Sequence, residues 1–257
     1  MLRRPVLFVG HGSPEHGVRD TDYSRAFTEL GTQLPKPAAV LAISAHWQTE
    51  QRATTANGAP KTIHDFGGFP RDFYEVRYPA PGQPDLAARV AELVGGSPRL
   101  DWGLDHGTWS ILRWMFPDAD VPVVQLSLER GLSAQAHYDL GRKLSPLRDE
   151  GVLVVGSGNV VHNLRDAFGR MREGNRDTPA WAASFDRDVA QMLEQRDAKA
   201  LVAAADHPAF GDAHPTAEHW LPMLYAAGAS VGDAEVSFPI AGFDWGSIAM
   251  RAVRFDA

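Results

Sequence analysis

Four short apolar runs punctuate the chain: Pro5–Val9, Ala38–Ser44, Val121–Leu126 and Val152–Val155. Each is apolar at successive rather than alternate positions. That predicts strands buried on both faces, the habit of parallel sheets. Elsewhere the apolar spacing lengthens to a helical period. Tyr23–Leu34 carries Phe27, Leu30 and Leu34, and Asp85–Val94 is amphipathic behind Pro84. Ala134–Leu144 and Trp181–Leu193 follow the same period. Pro215–Tyr225 is predicted as a helix with proline in its first turn, where the fixed φ of proline suits it. Strand–helix alternation predicts an α/β fold: a single domain over residues 1–257, with a mainly parallel central sheet flanked by helices. In such sheets ligands bind outside the C-terminal ends of the strands. The stretch Asn57–Gly82 is too aromatic for a flexible linker and reads as a functional loop.

Composition narrows the class. The 257 residues carry a net charge of −7 with no strong basic patch, which argues against a nucleic-acid partner. The apolar run near the N-terminus stops at Gly10-His11-Gly12, so it reads as a first strand rather than a signal peptide. No stretch is apolar for long enough to span a membrane. There are no cysteines, so disulfides, thiolate metal ligands and a thiol nucleophile are excluded. Any metal must be held by His, Asp or Glu. The composition fits a cytoplasmic protein.

Five of the ten histidines sit where strands end or helices begin. They are His11 in VGHGSP, His46 in AISAHWQ, His106 in LDHGTW, His162 in GSGNVVHN and His219 in HPTAEHW. Imidazoles delivered to one crevice point to a metal site or an acid–base cluster. A phosphate loop at Gly156–Asn159 is disfavoured, because it lacks a lysine and the longer glycine spacing. Asp105 also reads as a helix N-cap, with His106 in the first turn. On a helix starting at Pro215, His214 and Glu218 would share a face, and His219 would lie well round it. Spacing leaves Glu218 and His219 both open as ligands. His64, beside Asp65, reads as a support behind the site, and His137 as a surface residue. His16 and His207 lack the pattern. Three rival readings remain: a zinc-dependent hydrolase with Glu218 as base, a tetrapyrrole metal chelatase, and a non-catalytic metal-binding module.

The ordered set HGSP, SAHW, HDFxGFP, LDHG, GSGNVVHN and HPTAEH resembles the class III extradiol ring-cleavage dioxygenases. The nearest branch is the LigB-like family of the 4,5-DOPA extradiol dioxygenase type, matched from His11 to about Tyr225. One departure is Gly67, where the family usually has an aromatic residue before Gly-Phe-Pro. The resemblance implies metal ligands at His11, His46 and His219. It implies an acid–base role for His162, within reach of the metal, and a second catalytic histidine at His106. The implied cofactor is a mononuclear non-haem Fe(II), which Zn(II) can replace. The implied substrates are O2 and a small catechol, DOPA-like or other, opened to a semialdehyde. A third histidine ligand would depart from the two-His-one-carboxylate triad of many iron oxygenases.

Overall fold

The computed structural model describes residues 3–233 and 235–257; residues 1, 2 and 234 of the expected 1–257 domain lie outside the described residues. In chain order the strands are β1 (Val6–Gly10), β2 (Ala39–Thr49), β3 (Ala53–Thr55), β4 (Ser97–Arg99) and β5 (Val123–Glu129). They continue as β6 (Val152–Gly158), β7 (Glu235–Ile240), β8 (Phe243–Asp244), β9 (Ile248–Ala249) and β10 (Ala252–Asp256). Eight of them form one sheet in the order β4-β3-β5-β2-β6-β1-β10-β7, and β8 pairs with β9 separately.

The four apolar runs form the centre of this sheet, β5-β2-β6-β1, and all pair in parallel. The remaining strands are short additions at the edges. β10 lies antiparallel on β1, and β7 antiparallel on β10. β3 lies antiparallel to β5. The last strand of the chain therefore pairs with the first.

Both faces of the centre are covered, which is why its strands read as continuous apolar runs. Val6 and Phe8 of β1 face one layer with Leu41, Ile43 and Val154. That layer packs on the helices Pro84–Val94, Ala134–Leu144, Ala180–Glu194 and Leu221–Ala229. Leu7 and Val9 face the other way with Val40, Ala42 and Val155. This second layer packs on Asp22–Thr32 and His106–Met115. A large apolar side chain fully buried in either layer contributes on the order of 1.5–3 kcal/mol.

Local signals set the helix ends. Thr21 and Ser24 make a reciprocal capping box that starts Asp22–Thr32. Gly95, at φ 73°, ends Pro84–Val94 in the left-handed conformation that glycine tolerates. Two expectations are corrected. Pro215–Tyr225 is not one helix, because Thr216 is extended at φ −137° and ψ 141°. A single turn, Ala217–His219, follows, and the helix begins at Leu221 with Pro222 in its first turn. His137 is not a surface residue. It is 1% exposed and its Nδ1 lies 3.2 Å from the Tyr225 hydroxyl, because its face of the helix packs on Leu221–Ala229.

Two strand ends run further than the apolar pattern shows. β2 continues to Thr49, and its register with β5 is interrupted between Ile43 and Gln48. His46 sits in that irregular stretch, which re-aims side chains much as a bulge does. β6 continues through Gly158. A Cβ there would lie 2.2 Å from the carbonyl oxygen of His219. Gly158→Ala should therefore destabilise the fold by about 1–3 kcal/mol, the usual cost of forcing atoms into a packed site. Chemical denaturation of the variant beside the wild type measures it; an unchanged midpoint would mean the His219 turn is free to move away.

Candidate metal centre

All five singled-out histidines converge at the C-terminal end of the parallel strands. His11 follows β1, with its amide bonded to the Gly158 carbonyl at 3.1 Å. His46 is carried by β2. His106 opens the helix His106–Met115. His162 lies in the loop after β6, and its amide donates to Ala213 O at 2.8 Å. His219 closes the single turn before Leu221–Ala229, and its carbonyl accepts from Asn159 N at 3.1 Å.

The rings of His11, His46 and His219 form a near-equilateral triangle. Their centroids are 4.9 Å apart for His11–His46, 5.3 Å for His11–His219 and 5.1 Å for His46–His219. Imidazoles bound to one ion at nitrogen–metal distances of about 2.0–2.1 Å have centroids roughly 5 Å apart. The other two rings lie against members of the triangle, His162 stacked and His106 tilted. His106 lies 3.9 Å from His46, and His162 lies 3.4 Å from His219 at an interplanar angle of 8°. Potential ligand atoms fall within 4.8 Å of one another in two sets: His11, His46 and His106, and His162, Glu218 and His219.

Hydrogen bonds decide which nitrogen each ring offers. The Ser157 hydroxyl donates to Gly107 O at 2.5 Å, so its oxygen accepts from His11 Nδ1, 3.0 Å away. That puts the His11 proton on Nδ1 and leaves a lone pair on Nε2. The His219 Nδ1 lies 3.1 Å from Glu218 Oε1, a carboxylate that can only accept. His219 Nε2 is then left buried with no partner. His46 Nδ1 lies 3.2 Å from Asp65 Oδ2. His46 Nε2 and His11 Nε2 approach to 3.0 Å. With a proton on each Nδ1, two lone pairs face each other there, an arrangement a cation relieves. An orphaned nitrogen, two facing lone pairs and an all-imidazole donor set fit a divalent transition metal.

Burial lowers the pKa of His11 well below the usual histidine range, and the nearby His46, His106 and His162 reinforce it. Burial does the same for His219, helped by His162, His46 and His11. His162 is pushed down to about 3 by burial first, then by His46, His214 and His106. Burial also lowers His106, against the opposing pull of Asp65. For Asp65, burial acts upward, but His106 and His46 together hold its carboxyl below the usual carboxylate range. Burial thus favours the neutral, metal-binding form of His11, His219, His162 and His106 near neutral pH.

The remaining sequence candidates fall into place. Asp105 is the N-cap: it accepts from Thr108 N at 3.1 Å and is bonded to Gln125 Nε2 at 2.6 Å. His214 and Glu218 share no helix face. His214 Nε2 donates to Val160 O at 2.8 Å inside an aromatic cluster with Phe185, Phe210 and Trp220. His64 bonds Val76 O at 3.1 Å, while its neighbour Asp65 turns toward the centre. Ser157 and Gly107 went unread in the sequence, although both stand in the quoted motifs. A Cβ on Gly107 would lie 2.6 Å from Ser44 Oγ and 2.9 Å from His46 Cδ2, so only glycine lets this helix start approach the rings.

Residues 5–245 match the family described as the catalytic LigB subunit of aromatic ring-opening dioxygenase. The chain is 45% identical to the 4,5-DOPA dioxygenase extradiol of Escherichia coli K12, over 98% of this chain and 94% of that protein. It is 35% identical to the enzyme of the same name from Beta vulgaris, over 98% and 96%. A crystal structure of an uncharacterized Escherichia coli K12 protein superposes with a TM-score of 0.82 at 39% identity, covering 98% of this chain and 99% of that one. The chain belongs to the LigB family of ring-opening dioxygenases. Its named relatives are extradiol dioxygenases, and none of these is a hydrolase or a chelatase.

Removing a ring of the triangle should abolish metal binding, whereas removing the acceptor behind it should weaken binding about 10–100-fold. Metal content and chelator competition on His219→Ala, Glu218→Gln and Ser157→Ala separate the two. Metal retained by His219→Ala but lost from Glu218→Gln would make the set two histidines and a carboxylate. Acid should also weaken the metal-free fold. Unfolded histidines titrate near 6.5, whereas burial lowers folded His214 and His137 to about 4. Between those values the unfolded chain holds more protons, so stability falls as pH drops from about 6.5 to about 4. A melting temperature that stays flat across that window would show the buried rings protonating without cost.

Proposed function

We propose that this chain is a non-haem Fe(II) extradiol dioxygenase that opens the ring of a small catechol with O2 to give a semialdehyde. The observation that carries the reading is the triangle of His11, His46 and His219: each Nδ1 faces an acceptor, the Nε2 atoms of His11 and His46 lie 3.0 Å apart, and the His219 Nε2 is buried without a partner. The family and the extradiol names of its relatives supply the reaction type. The relatives named for 4,5-DOPA make a DOPA-like catechol the first substrate to try. Iron is chosen over zinc because ring opening by O2 needs a redox-active ion, and zinc has no redox chemistry. A cytoplasmic setting belongs to the same proposal, since a reducing compartment suits a ferrous site.

In this reading His11, His46 and His219 hold the metal. Bound there, the ion would neutralise a catecholate, orient it beside O2 and carry electrons between them. His162 is the acid–base group. Its burial-lowered pKa keeps it neutral, so it can take a catechol hydroxyl proton. The catecholate left behind stabilises the imidazolium, and the proton is returned later to product. His106, 3.9 Å from the His46 ring and 5.5 Å from the Phe66 ring, is the second catalytic histidine, close enough to the centre to accept a proton from bound substrate. Phe66 packs with Phe69 and Tyr74 into an apolar wall suited to a flat ring. At Gly67, where the family usually has an aromatic, a Cβ would meet nothing within 4 Å, so the wall is open there.

Anaerobic loading with Fe(II), followed by oxygen uptake across a panel of catechols, tests the activity. A yellow ring-opened product with one O2 consumed per catechol is expected. No uptake with any catechol by the iron-loaded protein would refute the reading. His162→Ala should keep its metal yet lose about 10²–10⁴-fold in turnover. Wild-type turnover in that variant would remove His162 from the chemistry.

A further inference from the structure

The loop between β3 and the helix Pro84–Val94 is tied down just before it reaches the centre. Ile63 N donates to Leu104 O at 2.7 Å, and Leu104 N donates to Lys61 O at 2.9 Å. Trp109 Nε1 donates to Ile63 O at 2.8 Å, and His64 Nε2 to Val76 O at 3.1 Å. Asp65 comes next, with its side chain only 17% exposed. Its Oδ1 accepts from His106 N at 2.8 Å. Its Oδ2 lies 3.0 Å from His106 Nδ1 and 3.2 Å from His46 Nδ1. Phe66 follows, edge-on to the His106 ring at 5.5 Å.

We infer that Asp65 is a positioning residue whose single carboxylate keeps the protons of His46 and His106 on Nδ1 and so turns both Nε2 atoms toward the centre. The inference rests on the reading of His46 as a metal ligand. Its basis is geometric. One oxygen lies within ion-pair distance of the Nδ1 atoms of both rings, and the other is anchored to the backbone of the helix that carries His106. The His46 and His106 rings lie 3.9 Å apart, tilted by 52°, so an oxygen near both Nδ1 atoms bears on both orientations together. A carboxylate behind a ligating imidazole makes the ring a stronger donor and fixes its tautomer. A neutral amide lacks the charge and can present an N–H where an acceptor is needed. Asp65 also joins two roles. The same turn of chain that orients a ligand ring presents Phe66 to the substrate side, so loop and metal shell are set by one side chain.

Asp65→Asn tests this, with His46→Ala as reference and Co(II) as the probe. Co(II) affinity is read by chelator competition, and its absorption spectrum reports ligand geometry independently of turnover. Asp65→Asn should bind Co(II) about 10–100-fold more weakly than wild type, with a shifted spectrum at saturation. An unchanged affinity and spectrum would overturn the inference, even if the melting temperature drops, because the loop would then be a structural anchor only. If Asp65→Asn does not fold, Asp65→Ser is read by the same two criteria. Wild-type affinity in His46→Ala removes the ligand reading and Asp65 with it. Loss of metal from His46→Ala but not from the Asp65 variant removes the Asp65 inference alone.

Discussion

The Nδ1 atoms of His11, His46 and His219 each face an acceptor, which leaves each Nε2 free for the proposed metal, and much of the local structure follows from that constraint. Ser157 serves His11, Glu218 serves His219 and Asp65 faces His46. The acceptors come from a sheet strand, a one-turn helix and a long loop, so no single element builds the site. Ser157 can accept from His11 because its own proton is committed to Gly107 O. Gly107 in turn can stand there because it has no side chain to strike His46. A neutral, single-tautomer imidazole is a metal ligand in waiting, and burial keeps it neutral.

The fold meets this constraint with rigid parts. His11 and His46 ride on β1 and β2 of the parallel centre, where both faces are packed. His219 is brought in by a turn whose carbonyl rests against Gly158 and accepts from Asn159 N. β6 and the His219 turn therefore set each other's position by backbone contact. A site built this way tolerates little displacement, which suits the proposed reaction, in which two substrates would be aligned on one ion.

The wall over the centre is built differently. Phe66, Phe69 and Tyr74 come from the loop, held at its base by pairing with Leu104. Gly67 and Gly68 leave space rather than filling it. Charge and hydrogen-bond geometry govern the histidine cluster, and aromatic packing governs the wall proposed to meet the substrate. Asp65 and Phe66 are adjacent residues, so the two regimes meet within one peptide unit.

The apolar runs by themselves determined the four central strands, because a strand buried on both faces is apolar at successive rather than alternate positions along most of its length. The helices Asp22–Thr32, Pro84–Val94, Ala134–Leu144 and Ala180–Glu194 were equally legible from their apolar period. The ordered histidine motifs marked the residues that meet at the centre. The outer strands β3, β4, β7 and β10 were not legible, since β3 and β4 are only three residues long and β7 and β10 carry too few apolar positions in a row to stand out. His137 looked like a surface residue, because a helix pattern does not say which neighbour covers it. The Pro215–Tyr225 stretch looked helical, although its first residues are bent away to deliver His219. The tautomers at His11 and His219, and the setting of Asp65 between two rings, depend on partners as far as 146 residues apart in the chain. Only the folded structure decides such contacts, because hydrogen-bond direction is a property of positions in space and not of order along the chain.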